Sequence, residues 1–242
     1  MLTLALDFPD SQQAVAFIER LESGAGPSAG RARRLMLKVG SELFTAAGPD
    51  IVRNLVGRGY PVFLDLKFHD IPNTVARAVA AAGRLGVSLV NVHALGGVEM
   101  MRAAVEAAGE AAPGMHVIAV TMLTSHDDAE IGRIGLPGAA QEHVLRLAGL
   151  AAEAGLAGVV ASPEETAALR ARFPRPFLIV TPGIRPAWAP DRGDQKRVAT
   201  PADAMEAGAD YIVVGRPVTA APDPADAVAR ILRELPRTPP AF

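Results

Sequence analysis

Val62-Phe-Leu-Asp-Leu-Lys-Phe-His-Asp70 is the stretch from which the rest of the chain is best read. It opens as an apolar run and then admits Asp65, Lys67 and Asp70 at short intervals. Continuous apolarity, rather than strict alternation with polar residues, predicts a strand covered on both faces, as in a parallel sheet. Strand side chains alternate with period two, so Asp65 and Lys67 are expected on one face. A second apolar stretch, Leu35-Met-Leu-Lys-Val-Gly40, carries Lys38. The chain has only three lysines, and its other 21 basic residues are arginine. An ammonium can release a proton, whereas a guanidinium effectively cannot. Lys38 and Lys67 are therefore candidates for chemistry.

Short apolar runs alternate with Ala-rich helical stretches through the whole chain. Strands are predicted at 2–7, 34–39, 62–67, 88–93, 116–122, 157–161, 176–181 and 211–214. Helices are predicted at about 11–22, 42–58, 73–85, 97–111, 138–154, 163–172, 201–207 and 224–234. Gly59, Gly86, Gly155 and Gly208 fall where helices should end, a position that favours glycine. Eight strand–helix units in 242 residues predict an α/β fold, a closed (β/α)₈ TIM barrel rather than an open sheet. No linker, charge run or low-complexity block divides the chain, so residues 1–242 are expected to form one barrel domain. Glu22 to Gly30 reads as a flexible loop on the N-terminal side of the barrel, where no catalytic role is expected.

A net charge of −2 gives no global basic field for nucleic acid, and two Tyr and one Trp supply no aromatic-plus-basic stripe. Cysteine is absent, which removes disulfides and thiol chemistry and suits a reducing cytoplasm. The opening Met1-Leu-Thr-Leu-Ala-Leu-Asp7 lacks a basic leader and does not read as a signal peptide. No uncharged apolar run reaches the roughly 18 residues of a membrane span, so no membrane partner is expected.

Barrel active sites form where strands end and βα loops begin. The polar residues at those ends are Asp7, Lys38, Asp65, Lys67 and Asp70, then Asn91 and His93, Thr121 to Ser125, Thr181 to Arg185, and Gly215-Arg216. Asp7, Lys38, Asp65, Lys67 and Asp70 should converge on one rim. A lone Lys–Asp pair there is usually structural, and Asp70 can also be read as a helix cap before Pro72. Asp7 can equally be a solvated loop residue. Three carboxylates and two lysines together point instead to function, since barrel stability requires none of them. His69 and His93 have no metal-ligand spacing and read as structural. Gly215-Arg216, with Arg185 one strand earlier, offers backbone and a guanidinium fork to an anion, at the usual phosphate position of such barrels.

Phe63-Leu-Asp-Leu-Lys-Phe-His-Asp-Ile-Pro-Asn-Thr74 closely resembles the bacterial orotidine 5′-phosphate decarboxylases. The likeness extends through Ala5 to Asp7, Leu37 to Gly40, Asn91 to His93, Leu123 to Ser125, Thr181 to Arg185, Gly193 to Gln195 and Val214 to Val218. The resemblance implies decarboxylation of orotidine 5′-monophosphate to uridine 5′-monophosphate, the last step of de novo pyrimidine synthesis, with no metal and no organic cofactor. It implies that Lys67 protonates carbon 6, that Asp65 sits beside the substrate carboxylate, and that Lys38 bridges the aspartates and a ribose hydroxyl. Asp70 would reach the active site of the other subunit of a homodimer, and Ile71 and Thr74 would cross with it. Asp7 would accept from a ribose hydroxyl, and Thr124 and Ser125 would touch the ribose and pyrimidine side. Arg185, Gln195, Gly215 and Arg216 match the phosphate-gripping set. Pro186 to Gly193 differs in composition from common versions of the phosphate-closing loop. The Asp-x-Lys-x-x-Asp core is also similar to that of hexulose-phosphate synthases and keto-gulonate-phosphate decarboxylases, which use magnesium; they are the alternative.

Overall fold

Eight parallel strands close on themselves in the computed structural model, which describes residues 1–24, 35–189 and 198–235. They are β1 (Leu2–Ala5), β2 (Leu35–Gly40), β3 (Val62–Phe68), β4 (Leu89–His93), β5 (His116–Val120), β6 (Gly158–Val160), β7 (Leu178–Thr181) and β8 (Tyr211–Val214). Each strand pairs with the next in sequence, and β8 returns to β1. The predicted (β/α)₈ barrel is thus the observed architecture.

The strands are apolar on both sides because two different cores need them. Met1, Ala5, Met36, Phe63, Leu89, Ile118, Leu178, Val180, Tyr211 and Val213 fill the barrel interior. Leu2, Leu4, Leu37, Leu64, Val90, Val92 and their neighbours pack outward against the helices. Period-two alternation separates the sets. The inward rows then change character at one level. Ala5 is followed two residues later by Asp7, Met36 by Lys38, Phe63 by Asp65 and Leu89 by Asn91. The barrel's C-terminal layer is therefore polar where the layers below it are apolar.

The opposite end is closed by a structural ion network. The Asp210 carboxylate is fully buried and accepts from Arg170, from Arg175 Nε at 2.9 Å and from Ile179 N at 2.9 Å. Arg170 also donates to the carbonyls of Gly208, Phe173 and Phe177. A carboxylate so buried is tolerable only when its lone pairs are met in this way.

Eleven helices and one 3-10 turn (Ala94–Gly96) accompany the strands among the described residues: α1 (Ser11–Gly24), α2 (Ser41–Ala47), α3 (Pro49–Gly57), α4 (Pro72–Arg84), α5 (Gly97–Ala111), α6 (Asp128–Arg133), α7 (Ala140–Glu153), α8 (Pro163–Arg172) and α9 (Pro201–Glu206) lie between strands, and α10 (Arg216–Thr219) and α11 (Pro224–Glu234) follow β8. The single helix expected over 42–58 is two, α2 and α3. Gly48 has φ +64° and Pro49 follows it; proline disfavours helical backbone before it and lacks the N–H a continuous helix would use. The strand expected over 2–7 stops at Ala5, and α6 and α10 were not anticipated. Gly59, Gly86, Gly155 and Gly208 all have positive φ after their helices, as predicted. Most of the expected 22–30 loop lies outside the described residues.

Candidate active site

Lys38, Asp65 and Lys67 meet as one chain of charge at the mouth of the barrel. Lys38 Nζ lies 3.2 Å from Asp65 Oδ2 and 3.4 Å from Asp7 Oδ1. Lys67 Nζ lies 2.6 Å from Asp65 Oδ1. The Asp65 side chain is 13% exposed and that of Lys38 11%, whereas Lys67 is 39% exposed and Asp7 62%. Lys67 is thus the more open ammonium, and Lys38 the more buried one.

These charges fix each other's protonation. Burial opposes a charged Asp65, but Lys38 and Lys67, with hydrogen bonds from Lys67 and Asn91, hold its carboxyl below the ordinary value. Burial likewise opposes a charged Lys38, but Asp65 and Asp7 hold its ammonium above the ordinary amine value. The array is a preorganised ionic layer rather than a set of neutralised groups.

The strand beneath Lys67 is not regular. β3 and β4 pair at Leu64↔Val90 and next at Phe68↔Val92, with a register shift between. Asp65, Leu66 and Lys67 thus stand opposite Asn91 alone. Lys67 takes φ +52°, the only positive φ of a non-glycine residue among those described. Such backbone costs on the order of 1–3 kcal/mol and gathers at functional sites. The simple alternation expected for Asp65 and Lys67 is therefore replaced by a bulge, which re-aims a side chain. Gly40 leaves room for the result: a Cβ there would stand 3.1 Å from Lys38 Nζ.

A cavity of about 440 Å³ opens over this layer. Asp7, Lys38, Asp65, Lys67, Thr124, Arg185, Gly215 and Arg216 all line it. Phe63, Val120, Met122, Val160, Val180 and Val213 supply its apolar surface. Arg185 is held by its backbone, which donates to Ala199 O at 2.9 Å, beside an Ile184↔Ala199 bridge. That bridge ties together the two ends of the segment between β7 and α9.

The remaining predicted residues fall elsewhere. Asp70, Ile71 and Thr74 are exposed on the rim and do not line the cavity, and Ile71 is 66% exposed. Asp70 Oδ1 accepts from Ile71 N at 2.6 Å. Ser125 is exposed beside Thr124 but is not part of the lining. Gln195 lies outside the described residues. Asn91 and His93, expected at a strand end, fall at the end of β4, and Asn91 has a role that the sequence does not assign it. Asn91 is fully buried, donates to Asp65 Oδ1 at 2.7 Å and accepts from Lys67 N at 2.8 Å. The signal was available: a polar residue at an inward position of an otherwise apolar strand needs a partner.

His93 stacks on His69 with ring centroids 5.4 Å apart, and its Nδ1 accepts from Leu95 N. Burial, then the nearby His69, Lys67 and His126, push its pKa down to about 4. It therefore adds no charge beside Lys67 at neutral pH. Among the described residues, no group of three or more His, Cys, Asp or Glu side chains is arranged to hold a metal ion, and no helix is long and apolar enough to cross a membrane.

Comparison with known proteins agrees with this geometry. A family profile described as "Orotidine 5'-phosphate decarboxylase / HUMPS family" matches residues 1–231. A protein of Halorhodospira halophila named orotidine 5′-phosphate decarboxylase is 56% identical over 234 residues, covering 97% of this chain and 95% of the relative. One of the same name from Alkalilimnicola ehrlichii is 55% identical, with the same coverage. Among solved structures, orotidine 5′-phosphate decarboxylase from Lactobacillus acidophilus superimposes with a TM-score of 0.83 at 38% identity, covering 96% of this chain and 97% of that one. An uncharacterized conserved protein from Geobacillus kaustophilus gives 0.82 at 40%, covering 97% and 99%. The chain belongs to the orotidine 5′-phosphate decarboxylase / HUMPS family.

Proposed function

We propose that this protein decarboxylates orotidine 5′-monophosphate to uridine 5′-monophosphate and CO₂, with Lys67 as the proton donor and no cofactor. The observation that carries the reading is the paired layer Lys38–Asp65–Lys67 lining the same cavity as Arg185 and Arg216. A nucleotide monophosphate has matching ends: a ring that reacts and a phosphate that binds. The names of the closely similar relatives support the same substrate.

Loss of CO₂ without an electron sink leaves carbanion character on ring carbon 6. An ammonium beside that carbon stabilises the charge as it develops and then gives it a proton. Arginine would meet the first need and fail the second. Asp65, kept ionised by its two lysines, faces the incoming carboxylate; relief of that repulsion as CO₂ leaves is a second, smaller contribution. Arg216, Arg185 and the Gly215 backbone bind the phosphate, and that remote binding energy aligns the ring over Lys67. Asp7 and Lys38 would meet the ribose hydroxyls, and Thr124 and Ser125 the ribose and pyrimidine side. Gln195 would join the phosphate set.

Asp70, Ile71 and Thr74 would serve a second subunit. Their exposure on the rim, away from the cavity of their own chain, supports a homodimer in which Asp70 completes the partner's charged layer. A cytoplasmic location fits a chain without cysteine acting in nucleotide synthesis.

The magnesium-dependent alternative requires carboxylates open to a metal. Here the Lys38 ammonium already stands between Asp7 and Asp65, which favours the metal-free reading. The deciding experiment follows the ultraviolet absorbance of orotidine 5′-monophosphate with purified protein in EDTA. Loss of the orotidine chromophore is expected; no loss, or activity restored only by magnesium, would overturn the proposal.

A further inference from the structure

Two residues of β3 have no counterpart on β4 across the bulge at Asp65, Leu66 and Lys67. A bulge takes backbone groups out of the ladder, and buried donors must then find other acceptors. Lys67 N finds the side chain of Asn91. The other end of the same amide donates to Asp65 Oδ1, the oxygen that also receives Lys67 Nζ. One side chain thus holds both the peptide of Lys67 and the carboxylate that grips its amine. A primary amide of this length offers an acceptor and a donor at once. Aspartate at this site would keep the acceptor but set a second carboxylate against Asp65; leucine would keep the volume and lose both bonds.

We propose that Asn91 is a positioning residue for Lys67: it holds the left-handed backbone at Lys67 and orients Asp65, so that the Lys67 ammonium is delivered into the cavity. The reaction this serves rests on the decarboxylase reading above; the positioning itself does not. A merely structural asparagine would affect stability and leave the chemistry of the folded protein unchanged.

Three measurements on Asn91→Leu test this. First, kcat should fall about 30- to 100-fold, the usual scale for an ångström-sized misplacement, while uridine 5′-monophosphate affinity stays within about threefold. Second, adding Asn91→Leu to Lys67→Ala should cost less than about threefold more, because the two residues act as a unit. Third, ¹³Cε-lysine labelling gives three signals, from Lys38, Lys67 and Lys196; the Lys67 signal should move. Near-normal kcat in folded Asn91→Leu, or equal losses in both backgrounds, would overturn the inference. If Asn91→Leu does not fold, the isosteric Asn91→Asp is read by the same criteria. If the wild-type protein does not turn over orotidine 5′-monophosphate, the decarboxylase reading fails by itself. The lysine spectrum then decides the positioning role, and an unmoved Lys67 signal overturns it.

Discussion

Lys38 and Lys67 grip opposite oxygens of a single carboxylate, that of Asp65, at 3.2 and 2.6 Å. They come from adjacent strands and both line the cavity, but Lys38 is the more buried and Lys67 the more open. That asymmetry leaves one ammonium as a buried counter-charge and the other more open to solvent.

Lys67→Arg keeps a cation at the site but removes its ability to give up a proton. Nucleotide binding should persist, and kcat should fall by about 10³-fold or more, within the range of general-acid effects. Steady-state kinetics, together with titration by uridine 5′-monophosphate, checks this; near-normal turnover rules out the donor role.

Arg216→Ala should act mainly on affinity. A charge-assisted hydrogen bond to phosphate is worth about 1.5–3 kcal/mol, so KM should rise roughly 10- to 100-fold, with a smaller loss in kcat. Unchanged affinity would remove Arg216 from the phosphate end.

Mixing Asp70→Ala with Lys67→Ala protein tests the shared site. Each parent should be nearly inactive. A heterodimer would hold one site with both residues intact, and random exchange should restore about a quarter of wild-type activity. No recovery in verified heterodimers argues against Asp70 crossing between subunits.

The charged layer should also register in the pH dependence of stability. Asp65 is lowered from its ordinary 3.8, so its stabilising effect is complete above that value and is lost as pH falls through the lower folded value. Lys38 is raised from its ordinary 10.5, so its contribution is present below that value and is lost as pH rises through the higher folded one. Denaturant unfolding between pH 2 and 5 should therefore show a shallower acid slope in Asp65→Asn than in wild type. Equal slopes would mean that Asp65 is not held ionised by the lysines.

Arg170→Ala addresses the opposite end of the barrel. It removes one partner of the buried Asp210 carboxylate while leaving Arg175 and Ile179 N, and should cost about 3 kcal/mol. Turnover per folded molecule should be unaffected, since stability and catalysis occupy opposite faces of such barrels. A lowered kcat at full folding would contradict that division.

Some of this was legible without coordinates. Doubly apolar strands such as Leu35–Gly40 can only be covered on both sides, and eight of them alternating with helices dictate a closed barrel. Charged residues at the ends of those strands, Lys38 and Asp65 foremost, must then gather at one rim, because all the strands point the same way. What remained hidden depended on neighbours distant in sequence. The break at Gly48 and Pro49 was visible in residue types but was outweighed by the apolar period around it. Asn91 looked like any polar strand-end residue, since its value lies in what β3 does opposite it.

The sequence by itself determined the barrel and its polar layer, which follow from periodicity and residue type along one strand at a time, and its motifs carried the likeness to the family. Only the tertiary structure decided that Lys67 sits in left-handed backbone on a bulge, that its N–H donates to Asn91, and that Asp70 is not part of the lining of its own chain's cavity. The physical reason is that register and hydrogen-bond pairing between strands are properties of two segments together, and neither segment carries them alone.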